Sequence, residues 1–271
     1  MTEDRGPLHV TGEVLATKKA GAYRLLTIAA AGIPQRFRAG NFVAVSVEPG
    51  RLARRALWIH RVKEVGAFGP TLDVVVNPTG PGTIWLAQRP VGAKLEITGP
   101  LGRPFALPRE PVSCALVGEG HSAAPLFPLA ERLRERGCAV NLVVAGPDEA
   151  GLLSALEARR SARAVTVITR DGSIGVRGDV AGQIAGILDR ADADVVYASG
   201  PRSMLRAVAR AAEARGAWSQ VALEIPMPCG TGLCQGCPVP VVGHDGVSRS
   251  VRACVDGPVI RGDRVDWDAL A

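Results

Sequence analysis

Aromatic residues are scarce, at 4% of the 271 residues, and lysine is scarcer: of 32 basic residues only Lys18, Lys19, Lys63 and Lys94 are lysines. A nucleic-acid surface usually joins a basic stripe to stacking aromatics. Neither is here, so the formal charge of +6 reads as a solvated, arginine-rich surface, with room for a patch that meets an acidic partner or phosphates. No apolar run reaches the roughly 18 residues that span a bilayer. Histidine is limited to four: His9 and His244 are expected to be exposed, His60 sits in a strand near Arg55, and His121 lies in a glycine turn where it could meet a ligand. No metal-ligand spacing joins them, and no Ser/His/Asp or Cys/His set is visible. Repeats and low-complexity tracts are lacking. The opening residues Met1 to Arg5 do not read as a signal peptide, so the expected setting is a soluble, reducing cytoplasm.

What the chain does have is Cys229-Gly-Thr-Gly-Leu-Cys234-Gln-Gly-Cys237, followed by Cys254. C-x4-C-x2-C with a distant fourth cysteine is the plant-type [2Fe–2S] spacing. Gly230, Gly232 and Gly236 would let the backbone wrap a small inorganic core, since glycine tolerates positive φ and has no Cβ to clash. Two plainer readings compete. Four cysteines can hold structural zinc, although zinc favours two separated C-x2-C pairs. They can form disulfides, in a secreted chain. The other two cysteines, Cys114 and Cys138, lie in apolar strand-like runs and read as buried core thiols.

The order of elements gives three units, 1–110, 111–225 and 226–271. Short Val/Leu/Ile runs punctuated by Gly, Pro and Asn, from Val10–Thr17 to Lys94–Thr98, predict an antiparallel Greek-key barrel, with one helix at Gly82–Gln88. Pro108 to Pro111 is the expected linker. Beyond it strand and helix alternate: strands at Val112–Val117, Ala139–Ala145, Val165–Thr169, Val195–Ser199 and Val221–Ile225, helices at Ala123–Arg136, Asp148–Arg159, Gly178–Ile187 and Pro201–Arg215. That order predicts a doubly wound parallel sheet of nucleotide-binding type. The last strand should feed the cysteine loop, and the tail after Asp256 should pack beside the cluster, against a surface the sequence does not name.

Two glycine turns, Gly118-Glu-Gly120-His-Ser122 and Ser199-Gly200-Pro201, follow strands of this sheet. In such sheets ligands bind at the carboxyl ends of strands, and a turn that opens a helix suits phosphate. Plain strand-to-helix turns are the alternative. In the barrel, Arg54-Arg55 and Gly80-Pro-Gly82-Thr83 could cradle a phosphate through a guanidinium fork, backbone N–H groups and a hydroxyl. A solvated charge pair and an ordinary hairpin are the alternatives there.

Barrel, nucleotide-type sheet and C-terminal cluster loop, in that order, resemble the electron-transfer subunit of bacterial dihydroorotate dehydrogenase, of the ferredoxin-reductase-like superfamily. The resemblance runs from about Val10 to Asp266. It is carried by Gly82-Thr83-Ile-Trp-Leu86, Gly99-Pro-Leu-Gly102 with Phe105, Pro125-Leu126, Tyr197-Ala-Ser-Gly200-Pro201 with Met204-Leu205, Leu223-Glu224, the cysteine loop and Val251-Arg-Ala-Cys254-Val-Asp-Gly-Pro258. It implies an electron relay in pyrimidine biosynthesis: a flavin-bearing catalytic partner oxidises dihydroorotate, and electrons pass through a [2Fe–2S] cluster on Cys229, Cys234, Cys237 and Cys254 to FAD and then to NAD(P). It places FAD at Arg55, Leu57, Trp58, Gly80, Gly82 and Thr83, and a nicotinamide dinucleotide at Gly118, Gly120, Gly200 and Pro201. No side chain of the relay need be an acid or base, because the cofactors carry the chemistry.

The family's motifs are not all kept. Its Arg-Pro-x-Ser falls on Arg55-Ala56-Leu57-Trp58, an arginine is replaced by Asn77, Gly-Gly-Gly-Ile-Gly becomes Gly118-Glu-Gly-His-Ser122, and Ser199 stands for a cysteine. These departures gather where ligands would bind. Two other functions therefore stand beside the relay: a cluster-bearing assembly subunit that binds neither flavin nor nicotinamide, and the relay subunit of another oxidoreductase, of the sulfide dehydrogenase or hydrogenase type.

Overall fold

The computed structural model describes residues 6–48 and 50–270. Met1 to Arg5, on which the signal-peptide reading rests, Pro49 of the expected Pro49-Gly50 turn, and Ala271 lie outside the described residues.

Six strands close the barrel: β1 (Leu8–Ala20), β2 (Tyr23–Ala29), β3 (Phe42–Val45), β4 (Arg55–Lys63), β5 (Thr71–Val76) and β6 (Lys94–Leu101). Their order is β1-β2-β5-β4-β3-β6. The chain passes from β2 over the barrel end before β3, which makes this a Greek key rather than a meander. Alternate residues point inward, and Val14, Leu26, Ile28, Val43, Ile59, Val74 and Ile97 are fully buried. Each such side chain contributes roughly 1.5–3 kcal/mol relative to exposure. Helix α1 (Ile33–Arg36) caps one end, and α2 (Pro81–Ala87) follows the Gly80 turn near its expected place.

The second sheet has seven strands. Its elements are β7 (Ser113–Glu119), α3 (Leu126–Glu135), β8 (Ala139–Gly146), α4 (Ala155–Ser161), β9 (Ala164–Thr169), β10 (Val176–Arg177), α5 (Val180–Ala191), β11 (Val195–Ser199), α6 (Arg202–Ala214), β12 (Trp218–Ala222) and, after the cysteine loop, β15 (Val259–Arg261). The order is β10-β9-β8-β7-β11-β12-β15. Cys114 to Val117 of β7 are all fully buried, as expected of a central strand covered on both faces. Cys114 and Cys138 are buried free thiols, and burial pushes the Cys114 thiol up to about 12. Among the described residues no helix is long and apolar enough to cross a membrane.

Three expectations need correction. The sheet is not wholly parallel: β15 pairs antiparallel with β12, so the tail packs on the sheet edge. The helix expected over Asp148–Arg159 is confined to α4. Residues 148–153 instead make a turn in which Asp148 accepts the Gly151 N–H at 2.7 Å. That turn is claimed by the barrel, because the Ala22 N–H donates to Ala150 O and the Tyr23 hydroxyl donates to Gly151 O. Finally, the helix expected from Ala123 starts only at Leu126, after a 3-10 turn over Gly120–Ala123.

The barrel interior is a core of its own, and residues of the barrel wall join the core of the second sheet. Phe42, Trp58, Leu101 and Phe105 from the barrel side pack with Tyr197, Leu223 and Met227. A polar bridge spans the same interface. Buried His60 directs Nδ1 at Ala124 O (3.2 Å) and Nε2 at Glu157 Oε1 (3.3 Å), and the same oxygen accepts from Arg61 Nε at 2.8 Å. Burial raises the Glu157 carboxyl, but His60 and Arg61 outweigh it and hold the group below the usual carboxylate range. Its contribution to stability is therefore complete above the ordinary carboxylate pKa and is lost as pH falls through the lowered value. Glu157→Gln is expected to cost about 1–3 kcal/mol at neutral pH, with the difference from wild type vanishing in acid. Urea denaturation of both proteins across that range would show it, and a pH-independent difference would contradict it.

Candidate functional site

From the end of β12 the chain runs extended through residues 223–228 into the cysteine loop. Cys237 then enters a hairpin, β13 (Pro238–Val242) and β14 (Ser248–Arg252), which returns the chain to Cys254 on α7 (Ala253–Asp256). The hairpin thus brings back a cysteine seventeen residues away. Cys237 Sγ and Cys254 Sγ lie 3.3 Å apart, both buried, while Cys229 is half-buried and Cys234 exposed. All six cysteines of the chain are free. Among the described residues no three His, Cys, Asp or Glu side chains converge as a single ion would require.

Backbone donors face the sulfurs. The Thr231 and Cys234 N–H groups point at Cys229 Sγ (3.4 and 3.5 Å), and the Gly236 N–H points at Cys234 Sγ (3.4 Å). Burial alone would raise the Cys229 thiol, but those donors bring it down to about 6. Cys254 goes the other way: burial and then neighbouring Cys237 push it up to about 12. Gly230 and Gly232 have positive φ as expected, at 71° and 86°. A Cβ on Gly230 would stand 2.8 Å from Ala44 Cβ, and one on Gly232 would stand 2.6 Å from Val255. Gly236 is not left-handed. The positive φ falls on Gln235 (54°), which turns the next N–H toward Cys234. Three cysteines on a loop whose N–H groups face sulfur, with a fourth returned on α7, are the donor set a [2Fe–2S] cluster takes, and such N–H groups tune its potential.

Beside this loop, between barrel and sheet, lies a cleft of about 380 Å³, within the usual range for a small-molecule site. Leu57, Trp58 and Thr83 line it as expected, and so do Asn77, His121 and Glu224. Trp58 Nε1 donates to Glu224 Oε1 at 3.3 Å, and His121 Nε2 lies 3.5 Å from the same oxygen. Asn77 Nδ2 is 3.4 Å from His121 Nδ1, so an amide hydrogen donated there leaves the imidazole hydrogen on Nε2, facing Glu224. Two positions that depart from the family motifs, Trp58 and His121, thus meet on one carboxylate, and a third, Asn77, backs His121. Phe42, Val75 and Met227 supply apolar wall. Sequence reasoning did not name these three for the site, because nothing local marks them: they come from three strands and loops far apart in the chain.

Arg55 and Gly82 are adjacent, since a Cβ on Gly82 would stand 2.6 Å from Arg55 Nη2. Arg55 donates to Ala53 O and Arg54 O and has no carboxylate partner among the described residues. Thr83 Oγ1 is already engaged, accepting from the Gly80 N–H and donating to Gly80 O. An apolar slot with an uncompensated guanidinium beside a glycine turn fits a flavin nucleotide, with Arg55 rather than Thr83 free to meet a phosphate.

Gly118, Gly120, Gly200 and Pro201 also come together. Strands β7 and β11 are neighbours, with Ser199 opposite Gly118, and the strand order reverses between them, which is where ligands bind in such sheets. Only the second turn opens an α-helix directly, with Pro201 at the N-cap of α6. Ser199 Oγ is buried without a hydrogen-bond partner. Glu119, which alone would repel phosphate, is paired with Arg170 at 2.9 Å, and burial pushes its carboxyl above the usual range. Arg170 thus offsets the one carboxylate of this turn that would oppose an anionic ligand.

A closed barrel joined to a parallel sheet, with a cleft between them, defines the ferredoxin-reductase-like class. A ferredoxin NADP+ reductase from Neisseria gonorrhoeae, solved with bound FAD and NADP, shares this fold at 16% identity with a TM-score of 0.62, covering 78% of this chain and 93% of that one. Much closer in shape is the NADH-dependent reduced ferredoxin-NADP oxidoreductase, with a TM-score of 0.82 and 28% identity over 96% of this chain and 91% of that one.

The iron-sulfur cluster binding domain of dihydroorotate dehydrogenase B matches residues 224–266. The dihydroorotate dehydrogenase B (NAD(+)) electron transfer subunit of Geobacillus thermodenitrificans is 32% identical over 247 residues, 89% of this chain and 91% of its own. That of Desulforamulus reducens is 30% identical over 217 residues, 80% and 81%. The chain belongs to the dihydroorotate dehydrogenase B electron transfer subunit family.

The thiol contrast is directly testable. In reduced, metal-free protein treated with iodoacetamide near neutral pH, Cys229 should alkylate at least about tenfold faster than Cys254, because the thiolate is the reacting form. Peptide mass spectrometry would resolve the two, and equal labelling would count against the N–H cage.

Proposed function

We propose that the chain is an electron-transfer subunit that relays electrons between a catalytic partner of the dihydroorotate dehydrogenase type and NAD(P), through a [2Fe–2S] cluster and FAD, in the reducing cytoplasm. Cys229, Cys234, Cys237 and Cys254 hold the cluster. Arg55, Gly80, Gly82 and Thr83 form the phosphate end of the FAD site, and Leu57 and Trp58 the ring end. Gly118, Gly120, Gly200 and Pro201 receive the nicotinamide dinucleotide. One observation carries the reading: Leu223, Glu224, Ile225, Pro226 and Met227 line the cleft, and the same segment reaches Cys229 two residues later. The wall of one redox site is thus the stem of the other, so a short path is built into the backbone.

When bound, the cluster exchanges single electrons and the flavin converts between single-electron and hydride steps. The chain's own residues bind, orient and exclude water. Phe42, Val75 and Met227 keep the cleft wall apolar, and Glu224 fixes the Trp58 ring from one side and His121 from the other. Thr231, Cys234 and Gly236 direct N–H groups at sulfur, which favours the thiolate form needed for ligation.

Protein purified without oxygen is expected to show iron–sulfur absorption that Cys237→Ser and Cys254→Ser each abolish. FAD titration should quench Trp58 fluorescence and restore NAD(P)H-dependent dye reduction. Iron–sulfur bands with no flavin binding would favour the assembly subunit instead. The shape match to NADH-dependent reduced ferredoxin-NADP oxidoreductase supports a second reading, the relay of another oxidoreductase. Reduction of the cluster by dihydroorotate in the presence of the partner subunit distinguishes it from the first.

A further inference from the structure

A second depression, an open groove of about 670 Å³ and roomier than the cleft, is lined by residues of the barrel, the hairpin and β15. One rim is the barrel, with Arg38 and Arg103. The other is the end of the chain, with Arg261 and Arg264, together with His244 of the β13–β14 turn, and between them runs an apolar floor of Val241, Val259 and Ile260. Four guanidinium groups thus face a single acid of the lining, Asp256.

The acids nearby are already engaged. Asp256 accepts the Arg252 N–H at 3.0 Å. Asp263 holds Arg261 through two bonds of 2.9 and 2.6 Å and lies 3.8 Å from Arg264. Arg264 also reaches His244 Nδ1 at 2.6 Å. The exposed Arg38 and Arg103 make no side-chain hydrogen bond or ion pair among the described residues. Their backbone N–H groups are fixed, Arg38 to Asn41 Oδ1 and Arg103 to Gly257 O, so both side chains project from anchored positions. Unpaired cations above an apolar floor call for an occupant that is both acidic and apolar.

Shape narrows the choice. The groove is lined by β15, the terminal strand of the sheet, which among the described residues pairs only with β12. An extended chain is the form that lies along such an edge. A free phosphate would use the arginines and leave the valine and isoleucine floor exposed. Position matters too. Asp256 is two residues beyond Cys254, and the β13 arm of the floor begins directly after Cys237. An occupant of the groove would lie beside the hairpin that carries two of the four cluster cysteines.

We infer that this groove docks an acidic, extended segment of the catalytic partner, with Arg38 and Arg103 as the charges that select it. The inference rests on the relay reading above and adds to it the surface and the chemistry of the contact. Opposite charge along such a groove steers association and fixes register, and its effect weakens with salt.

The experiment uses the full chain loaded with its cofactors and the catalytic subunit from the same organism. Arg38→Glu with Arg103→Glu is expected to weaken association at least about tenfold and to flatten its salt dependence. Cluster and flavin spectra should be unchanged, and Arg132→Ala on α3 should bind like wild type. Arg38→Lys with Arg103→Lys keeps the charge and should keep association. It also supplies amines that a carbodiimide can join to the partner's carboxylates, and the cross-linked peptides are expected to be rich in Asp and Glu. Association of the Glu variant within about twofold of wild type would overturn the inference, as would absent cross-links in the Lys variant. So would tripolyphosphate binding to the lone chain that the Glu variant loses while association persists. If wild-type protein itself fails to associate with the catalytic subunit, the relay reading falls and the groove's occupant falls with it.

Discussion

The arrangement depends on how the cysteine loop is seated against the barrel. Gly230 has so little clearance from Ala44 that a methyl group there would collide, and the Arg54 N–H donates to Pro228 O at 2.8 Å. The loop therefore has its place set by two surfaces, the barrel on one side and the α7 turn on the other. The stem that leads to Cys229 is also a wall of the cleft. Distance between redox groups is then a property of packing, which interiors hold to a fraction of an ångström, rather than of a flexible tether.

The cleft shows how substituted motif residues can be reconciled with a retained fold. Trp58 replaces a small hydroxyl residue, yet its indole N–H finds an acceptor in Glu224, as a buried Trp N–H requires. His121 replaces an aliphatic side chain and takes its second contact from the same oxygen, while Asn77 supplies the third member of the chain. Changed one at a time, each would leave a polar group short of a partner, at a cost of about 1–3 kcal/mol. Together they close a network. The turn after β7 repeats the pattern, where Arg170 stands beside Glu119.

Charge is distributed with the same economy. The bridge from His60 and Arg61 to Glu157 joins barrel to sheet where both are covered, so the cleft lies between bodies held in fixed relation. Arg38 and Arg103 lie elsewhere, along the groove beside the cluster hairpin, where no carboxylate among the described residues meets them.

The sequence by itself determined the four cysteines, both modules and nearly every strand of the barrel, because spacing and alternation are local properties that the chain carries wherever it folds. It also marked the glycine turns and the substituted motif residues. Tertiary structure decided what those marks mean. Asp148–Leu153 is a turn because the barrel supplies its hydrogen-bond partners, β15 lies antiparallel on the sheet because the hairpin returns the chain there, and positive φ falls on Gln235 because a sulfur needs the following N–H. Phe42, Val75 and Met227 join one wall, and His121 and Trp58 meet on Glu224, only after residues more than a hundred positions apart are packed together. Such contacts are long-range by nature: no window of sequence contains both partners, so only the folded chain could pair them.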